Sequence, residues 1–476
     1  MTPMPRRARQ LGTMAMCAER WPRIRAHRIV NYSHAILLAV VAIAMALPPL
    51  PALATPVIQT WRTSNGVRVL FVEAHELPIV DLQLIFAGGS STDPAGREGL
   101  ALLAGGLLDE GAGGKHANEI AYEFERLGAV YGADVNSDYS SFYLRTLAAP
   151  EQLEPALANF RTVMLLPDFP QDAIDRQQKR LLIGIQQKKQ SPAALADDAF
   201  RAAIYGDHPY AHPDEGNEIS LPSITRADLI AWHKRTHVAG NAILAMVADL
   251  SRAEAEAIAE QVVADLPAGG AAAAVPPVGV LAQATEVHIN FPSTQTHILV
   301  GQPGMKYGDP DYFPLLLGNH ILGGGGFVTR LFREIREKHG LSYSAYSYFS
   351  PRRAAGPFAA NLQTEAGQAG QALAVLRATL DQFIKDGPTE QELRAAKLNL
   401  TGGFPMRMDS NRKILAYVGV IGFYGLPLDY LDHFIGRIEA VTAAQIREAF
   451  GRRLNLKRMA TILVGPAQEA GAGDPP

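Results

Sequence analysis

The chain has 476 residues, of which 47% are hydrophobic and 19% charged, with a formal net charge of −3. At about 100–200 residues per domain, such a length holds roughly two to four domains, each with a sizeable core. The composition excludes a disordered, collagen-like or disulfide-stapled chain, the lack of a basic excess argues against nucleic-acid binding, and the single cysteine, Cys17, excludes a Cys-cluster metal site built from this chain alone.

In chain order, residues 1–34 carry seven arginines against one acid, Glu19, and 35–47 then run thirteen residues without charge. Prolines and Ala52-Leu53-Ala54 follow. A basic region, a short apolar run and an A-x-A site describe a secretory signal peptide, 1–54, cleaved near Ala54. Thirteen apolar residues fall short of the about 20 that span a bilayer as a helix. Cleavage would remove Cys17 and lower the formal charge by six, to −9, leaving 422 residues. The expected location is the periplasm, with no stable membrane span after cleavage.

The mature chain divides at a Gly/Ala/Pro-rich stretch, 267–277, which reads as the core of a flexible linker over 267–283. The flanking halves, 55–266 and 284–476, repeat one order of elements. The first reads as a strand over 79–87, an apolar helix over 99–108, a helix ending at Gly128, a strand pair over 130–137 and 140–148, then a helix from Pro150. The second reads as a strand over 297–302, an apolar helix over 313–322, a helix over 330–338 ending at Gly340, a strand pair over 341–349 and 358–363, then a helix from about 367. Gly128-Ala-Val-Tyr131 matches Gly340-Leu-Ser-Tyr343, and Leu144-Arg-Thr146 matches Leu362-Gln-Thr364. A shared order at a nearly constant offset indicates internal duplication. The fold class is α+β: antiparallel sheets, each covered by helices on one face.

The sharpest local pattern lies in the second half. Gly323, Gly324, Gly325 and Gly326 read as a flexible loop before a helix, and no Gly-Lys-Ser/Thr follows to make it a phosphate loop. Gly340 fits the end of that helix. This places Arg336 in the last helical turn and Tyr343 at the start of the next strand, where both could donate hydrogen bonds to a peptide carbonyl. The alternative from spacing is a surface helix whose Arg336 pairs with Glu334 or Glu337.

The stretch from Arg330 to Ser344 resembles the C-terminal signature of M16 peptidases, the pitrilysin, insulysin and mitochondrial processing peptidase group. Gly88-Gly-Ser-Ser-Thr-Asp-Pro94, His208-Pro-Tyr-Ala-His-Pro213 and Tyr424-Gly-Leu-Pro-Leu-Asp-Tyr-Leu431 extend the resemblance over about 61–466. It implies two homologous LuxS/MPP-like domains in a clam-shell arrangement, as in the short bacterial M16B branch. It also implies an H-x-x-E-H helix that binds zinc, with a third ligand from a later helix. Here the corresponding residues are Leu102, Gly105 and Gly106, with Gly184 (or Ile183) for the third ligand, and none of these side chains can hold zinc. In some family members one chain brings zinc and another brings the arginine and tyrosine, and this sequence resembles the second kind.

Other histidines offer no replacement site. His233 and His237 have helical spacing without an acid between them and read as surface residues. His208 and His212 sit in a Pro-rich loop, and His75 at a hairpin turn. The expectation is therefore a chain with no cofactor of its own, inactive alone, working with a homologous partner that carries H-x-x-E-H and zinc on an unfolded peptide substrate. The competing readings are a pseudopeptidase that only binds peptide or supports assembly, and a self-sufficient peptidase with another site.

Overall fold

The computed structural model describes residues 55–467, so the expected signal peptide, 1–54, lies outside the described residues. The first sheet has six strands: β1 (Gln59–Arg62), β2 (Arg68–Glu73), β3 (Ile79–Phe86), β4 (Val130–Val135), β5 (Ser140–Leu147) and β6 (Ala242–Ala248). Their spatial order is β1-β2-β6-β3-β5-β4. The helices that accompany them include α1 (Leu100–Gly105), α2 (Ala117–Glu125), α3 (Pro150–Leu165), α4 (Gln171–Lys188), α5 (Pro192–Tyr205), α6 (Arg226–Thr236) and α7 (Arg252–Val263). The second sheet has β7 (Thr285–Asn290), β8 (Gln295–Pro303), β9 (Ala345–Phe349), β10 (Pro357–Glu365) and β11 (Ala460–Gly465), in the order β9-β10-β8-β11-β7. Its helices include α8 (Tyr312–Asn319), α9 (Ala369–Asp386), α10 (Glu390–Gly402), α11 (Asn411–Tyr424), α12 (Tyr430–Ala440) and α13 (Ala443–Arg453).

The two sheets share a topology. β2 runs parallel to β6 as β7 does to β11, and every other shared neighbour pair is antiparallel. Leu144 on β5 faces Leu82 on β3, and Leu362 on β10 faces Ile298 on β8, so the matched tripeptides occupy equivalent positions. β4 and β9 are the equivalent edge strands. The α+β class read from the sequence is the class observed.

Sequence alone covered each sheet with helices on one face only, and the structure corrects this. The other face of each sheet receives a helix from the opposite half. Helix α11 lies on the first sheet, where glycines permit close approach. A Cβ on Gly419 would stand 2.7 Å from the Gln83 side chain, and one on Gly422 would stand 2.7 Å from that of Leu70. Reciprocally, Phe200 of α5 reaches the β8 backbone at Gly301, whose added Cβ would stand 2.7 Å from the Phe200 ring. Ala196, Phe200 and Ile204 are buried with Leu299, Ile462 and Val464 of the second sheet. Burying one large apolar side chain contributes about 1.5–3 kcal/mol, so this exchange joins the halves through their cores.

The stretch read as a flexible linker lies against the first half. Pro267 accepts from the Ala239 amide at 2.9 Å, Ala272 donates to the Asn241 side chain at 3.1 Å, and Gly269 packs on Val238.

A buried carboxylate completes the junction. Asp138, in the β4–β5 turn, is 3% exposed. It accepts hydrogen bonds from the Tyr210 hydroxyl, the Tyr424 hydroxyl (2.9 Å) and the Arg353 amide (2.8 Å). Two of these donors belong to the opposite half. Burial, with Asp138 close by, pushes both phenols well above the usual tyrosine range, so they remain donors. Asp138→Ala leaves the buried donors without their acceptor and is expected to cost about 2–4 kcal/mol in urea unfolding. Tyr424→Phe, which removes one donor, is expected to cost about 1 kcal/mol. Equal stability of Asp138→Ala and the parent chain would refute the role.

Candidate functional site

Helix α1 is short and buried because its start is tied down. Asp93 accepts from the Gly99 and Ala101 amides, each at 2.9 Å. Burial nevertheless pushes the Asp93 carboxyl up to about 8. Gly99 has φ +98°, and a Cβ there would stand 2.6 Å from the Glu215 carbonyl oxygen, so the turn into the helix requires glycine. Of the positions aligned with the zinc ligands and glutamate, Leu102 is half-buried, Gly105 buried and Gly106 exposed. A Cβ on Gly105 would stand 2.6 Å from a methyl group of Val135 at the end of β4. The edge strand has closed over the position where the family motif carries glutamate. Gly184 on α4 faces open space, and its neighbour Ile183 is exposed. Among the described residues no group of three His, Cys, Asp or Glu side chains could hold a metal ion. The side chains at these positions do not fit zinc.

The second half is built differently. Thr329 is buried and caps the helical segment that follows: its hydroxyl accepts from the Phe332 amide at 3.3 Å and donates to the Gly326 carbonyl at 3.1 Å. Arg330 makes a two-pronged pair with Glu392 of α10 at 2.7 and 2.9 Å, and Arg333 joins at 3.0 Å. Burial opposes ionisation of Glu392, but the two guanidiniums and the Thr389 amide outweigh it and hold the carboxyl at about 2. The backbone then widens into π-helical turns over Arg333–Lys338. Gly340, at φ +64°, ends them as the sequence suggested.

Arg336 and Tyr343 come together. The Arg336 guanidinium carbon lies 4.3 Å from the centre of the Tyr343 ring and 4.9 Å from that of Phe332. Arg336 makes no ion pair among the described residues; Glu334 pairs with Lys338 at 2.7 Å instead. Tyr343 does not begin the strand as expected. The chain reaches β9 only at Ala345, which faces Leu362, whereas Tyr131 in the first half already faces the equivalent Leu144. Two extra residues after the glycine hold Tyr343 outside the sheet. Hydroxyl groups replace the missing ladder: Ser342 donates to the Gln363 carbonyl at 2.6 Å and Thr364 to the Leu341 carbonyl at 2.6 Å. Tyr343 is left 76% exposed, with the guanidinium stacked on its ring.

The four glycines are a packed turn rather than a loose loop. Their first two residues lie in a π-helical turn, His320–Gly324. An added Cβ would stand 2.4 Å from the Ser347 amide at Gly323, 2.7 Å from Asn319 at Gly324 and 2.6 Å from the His320 carbonyl oxygen at Gly325, while Gly326 has φ +75°. They let the turn press on β9 and leave a groove of about 410 Å³, lined in part by Gly324, Phe327, Phe332, Tyr346 and Tyr348. β9 pairs with β10 alone, so its outer edge carries no second strand; at Ser347 the Asn319 side-chain amide bonds the main-chain carbonyl at 3.1 Å.

The histidines play structural parts. His237 is buried, not a surface residue: its ring lies 4.3 Å from that of Phe86 and 5.2 Å from that of Trp232, and burial holds it neutral, well below the usual range. His233 bonds the Met164 carbonyl at 2.8 Å, and His208 the Pro276 carbonyl at 2.9 Å. His212 lies 3.2 Å from the Pro213 carbonyl oxygen. His75 is exposed between Glu73 and Asp249. Asp138 was not singled out from the sequence; the family-like stretches containing Tyr210 and Tyr424 were the available signal.

Comparison with known proteins gives a consistent picture. The model of the insulinase family, peptidase family M16, matches residues 68–217, and that of the peptidase M16 inactive domain matches residues 223–400. A solved peptidase M16 inactive domain from Pseudomonas fluorescens is 44% identical, with a TM-score of 0.83, over 86% of this chain and 98% of that one. A protein of Bacillus subtilis named uncharacterized zinc protease YmxG is 23% identical over 86% of this chain and 98% of its own length. A Helicobacter pylori protein named non-peptidase homolog YmxG is 24% identical over 80% and 88%.

Two outcomes test this geometry. Gly105→Glu is expected to destabilise the fold by about 1–3 kcal/mol, and Val135→Ala in the same chain to recover part of that loss in thermal unfolding. Absence of any coupling between the two changes would show that Val135 does not close the position. Glu392 has a lowered folded pKa, so its contribution is full above pH 4.5 and fades as pH falls through about 2. Glu392→Gln should therefore lower stability by about 1–3 kcal/mol at neutral pH and flatten the acid limb between those values. An unchanged acid limb would count against the pairing.

Proposed function

We propose that this chain, which belongs to the M16 peptidase family, is an inactive member that binds an extended peptide beside Arg336 and Tyr343 and works with a homologous, zinc-bearing partner in the periplasm. The observation that carries the reading is a contrast between the halves. No position aligned with the zinc motif retains a ligating side chain, whereas the arginine and tyrosine are stacked together, and the guanidinium also lies over Phe332, which lines the groove beside β9.

The chemistry follows from the residue types. A free edge adds an extended peptide through main-chain hydrogen bonds, largely without regard to sequence. Gly326, with open space where a Cβ would stand, leaves room beside the groove it lines. The Arg336 guanidinium, uncompensated by any carboxylate among the described residues, and the Tyr343 hydroxyl both donate, and a peptide carbonyl accepts from both. The same donors stabilise negative charge that develops on that oxygen when a nucleophile from the partner attacks. Names of relatives support inactivity of the isolated chain: one is a non-peptidase homolog, and the 44%-identical structure is an M16 inactive domain. Those names equally favour a second reading, a subunit that binds peptide or supports assembly without acting on the transition state.

The purified chain is expected to bind no stoichiometric zinc and to cleave no peptide alone, with peptidase activity appearing on addition of an M16 chain that retains H-x-x-E-H. In that complex, Arg336→Ala with Tyr343→Phe should lower kcat/KM about 10²–10³-fold. Unchanged kinetics in the double variant would leave only the assembly reading, and full activity of the partner alone would remove the heteromeric one.

A further inference from the structure

A second cavity, of about 170 Å³, opens between α5 of the first half and the turn joining β9 to β10. Its apolar wall is formed by Phe200, Ile204 and Pro357, and its polar wall by Arg201, Arg352 and Asp197, with Tyr348 beside them. The volume lies below the roughly 300–1,000 Å³ of cofactor-sized sites and suits a single residue. The charges in it are not closed into contact pairs, although Arg201 lies near enough to favour the Asp197 carboxylate. Asp198, the neighbour of Asp197, pairs with Lys188, but Asp197, Arg201 and Arg352 make no ion pair among the described residues. One guanidinium nitrogen of Arg352 is buried without any hydrogen-bond acceptor. Such an orphan charged donor requires a partner, since burial without one is costly. The guanidinium is not free to swing away, because it lies 4.8 Å from the centre of the Tyr210 ring, within the Asp138 junction. Tyr348 remains a protonated donor: burial raises its phenol to about 12 although both arginines pull it down.

We propose that this cavity is a subsite for a residue with a free α-carboxylate. The carboxylate lies against Arg201 and Arg352, its α-nitrogen donates to Asp197, and an apolar side chain rests on Phe200, Ile204 and Pro357. Two planar guanidiniums match a carboxylate better than they match a carbonyl. Tyr348 lines both this cavity and the groove along β9, so the two spaces adjoin. The subsite therefore rests on the peptide-binding reading in one respect: the residue it holds is the last one of a peptide lying in that groove. A free amino acid derivative offers the same chemistry, and the experiment separates the two sources.

The test uses the whole isolated chain and needs no peptidase activity. Two N-terminally labelled peptides of one extended sequence ending in leucine, one a free acid and one a C-terminal amide, are titrated by fluorescence anisotropy, with N-acetyl-leucine as competitor. The acid should bind at least tenfold more tightly than the amide. Arg352→Gln, and separately Arg201→Gln, should remove that preference and leave the affinity of the amide unchanged. Among the described residues Arg201 makes no hydrogen bond or ion pair to the Asp138 junction, so its variant serves should Arg352→Gln disturb folding. Equal binding of acid and amide, or a preference that survives both substitutions, overturns the subsite and leaves the groove standing. Binding of N-acetyl-leucine to the parent chain but not to Arg201→Gln, with no binding of either peptide, sustains the subsite for a small carboxylate and overturns the groove.

Discussion

The buried carboxylate of Asp138 governs how the two halves meet. It sits at the tip of the β4–β5 hairpin and takes three hydrogen bonds, two of them from the opposite half. A carboxyl removed from water is tolerable only when its oxygens are hydrogen-bonded, so the hairpin, Tyr210, Tyr424 and the turn at Arg353 hold one arrangement or lose it together. The consequences spread along the hairpin. The Asn136 and Ser137 carbonyls accept from the Ser90 and Ser91 amides, fixing the loop that leads to Asp93 and hence the start of α1. Val135, three residues before Asp138, bears on Gly105. The strand that anchors the halves is thus the strand that closes over the position where the family motif carries glutamate.

Exchange of helices makes the junction more than a hinge. α5 lies on the second sheet and α11 on the first, each placed by small residues that admit a close neighbour. A glycine in a helix ordinarily costs about 1 kcal/mol against alanine. At Gly419 and Gly422 that cost is offset by contact with Leu70, Ile85 and Ile243. The cavity between α5 and the β9–β10 turn exists because of the same exchange, and it draws its charged residues from both halves.

Much of this was legible in the sequence. The duplication and the strand pairs follow from order and residue type, and the loss of ligating side chains at 102, 105, 106 and 184 from the resemblance to the M16 family. What escaped depended on contacts distant in the chain. The exchanged helices could not be read from amphipathic faces, because α11 is apolar nearly all round, and a helix of that kind signals burial on two sides. Tyr343 looked like a strand residue because alternation runs on through it. The hydroxyls of Ser342 and Thr364 bond the backbone there, and the sheet begins two residues later. His237 looked like a helix-end surface residue, yet its ring lies among Phe86, Phe142 and Trp232. Helical spacing places two histidines on one face but does not say which face is buried.

The division of labour between binding and bond cleavage can be argued from the groove alone. Hydrolysis of a peptide needs an activated nucleophile, a group to take its proton and donors for the carbonyl oxygen. Of these the groove supplies the donors. The polar side chains that line it are Asn319, Ser344, Ser347, Tyr346 and Tyr348, with no carboxylate, imidazole or amine among them, and the Arg336 guanidinium lies over its Phe332. Ser347 is spent on Asn319, its hydroxyl donating at 2.7 Å, so it is no ready nucleophile. His339, the nearest imidazole in sequence, bonds the Glu334 carbonyl at 2.8 Å behind the helix end. Donors without a base are therefore what the groove offers, and this asymmetry is the chemical ground of the proposed peptide-holding role.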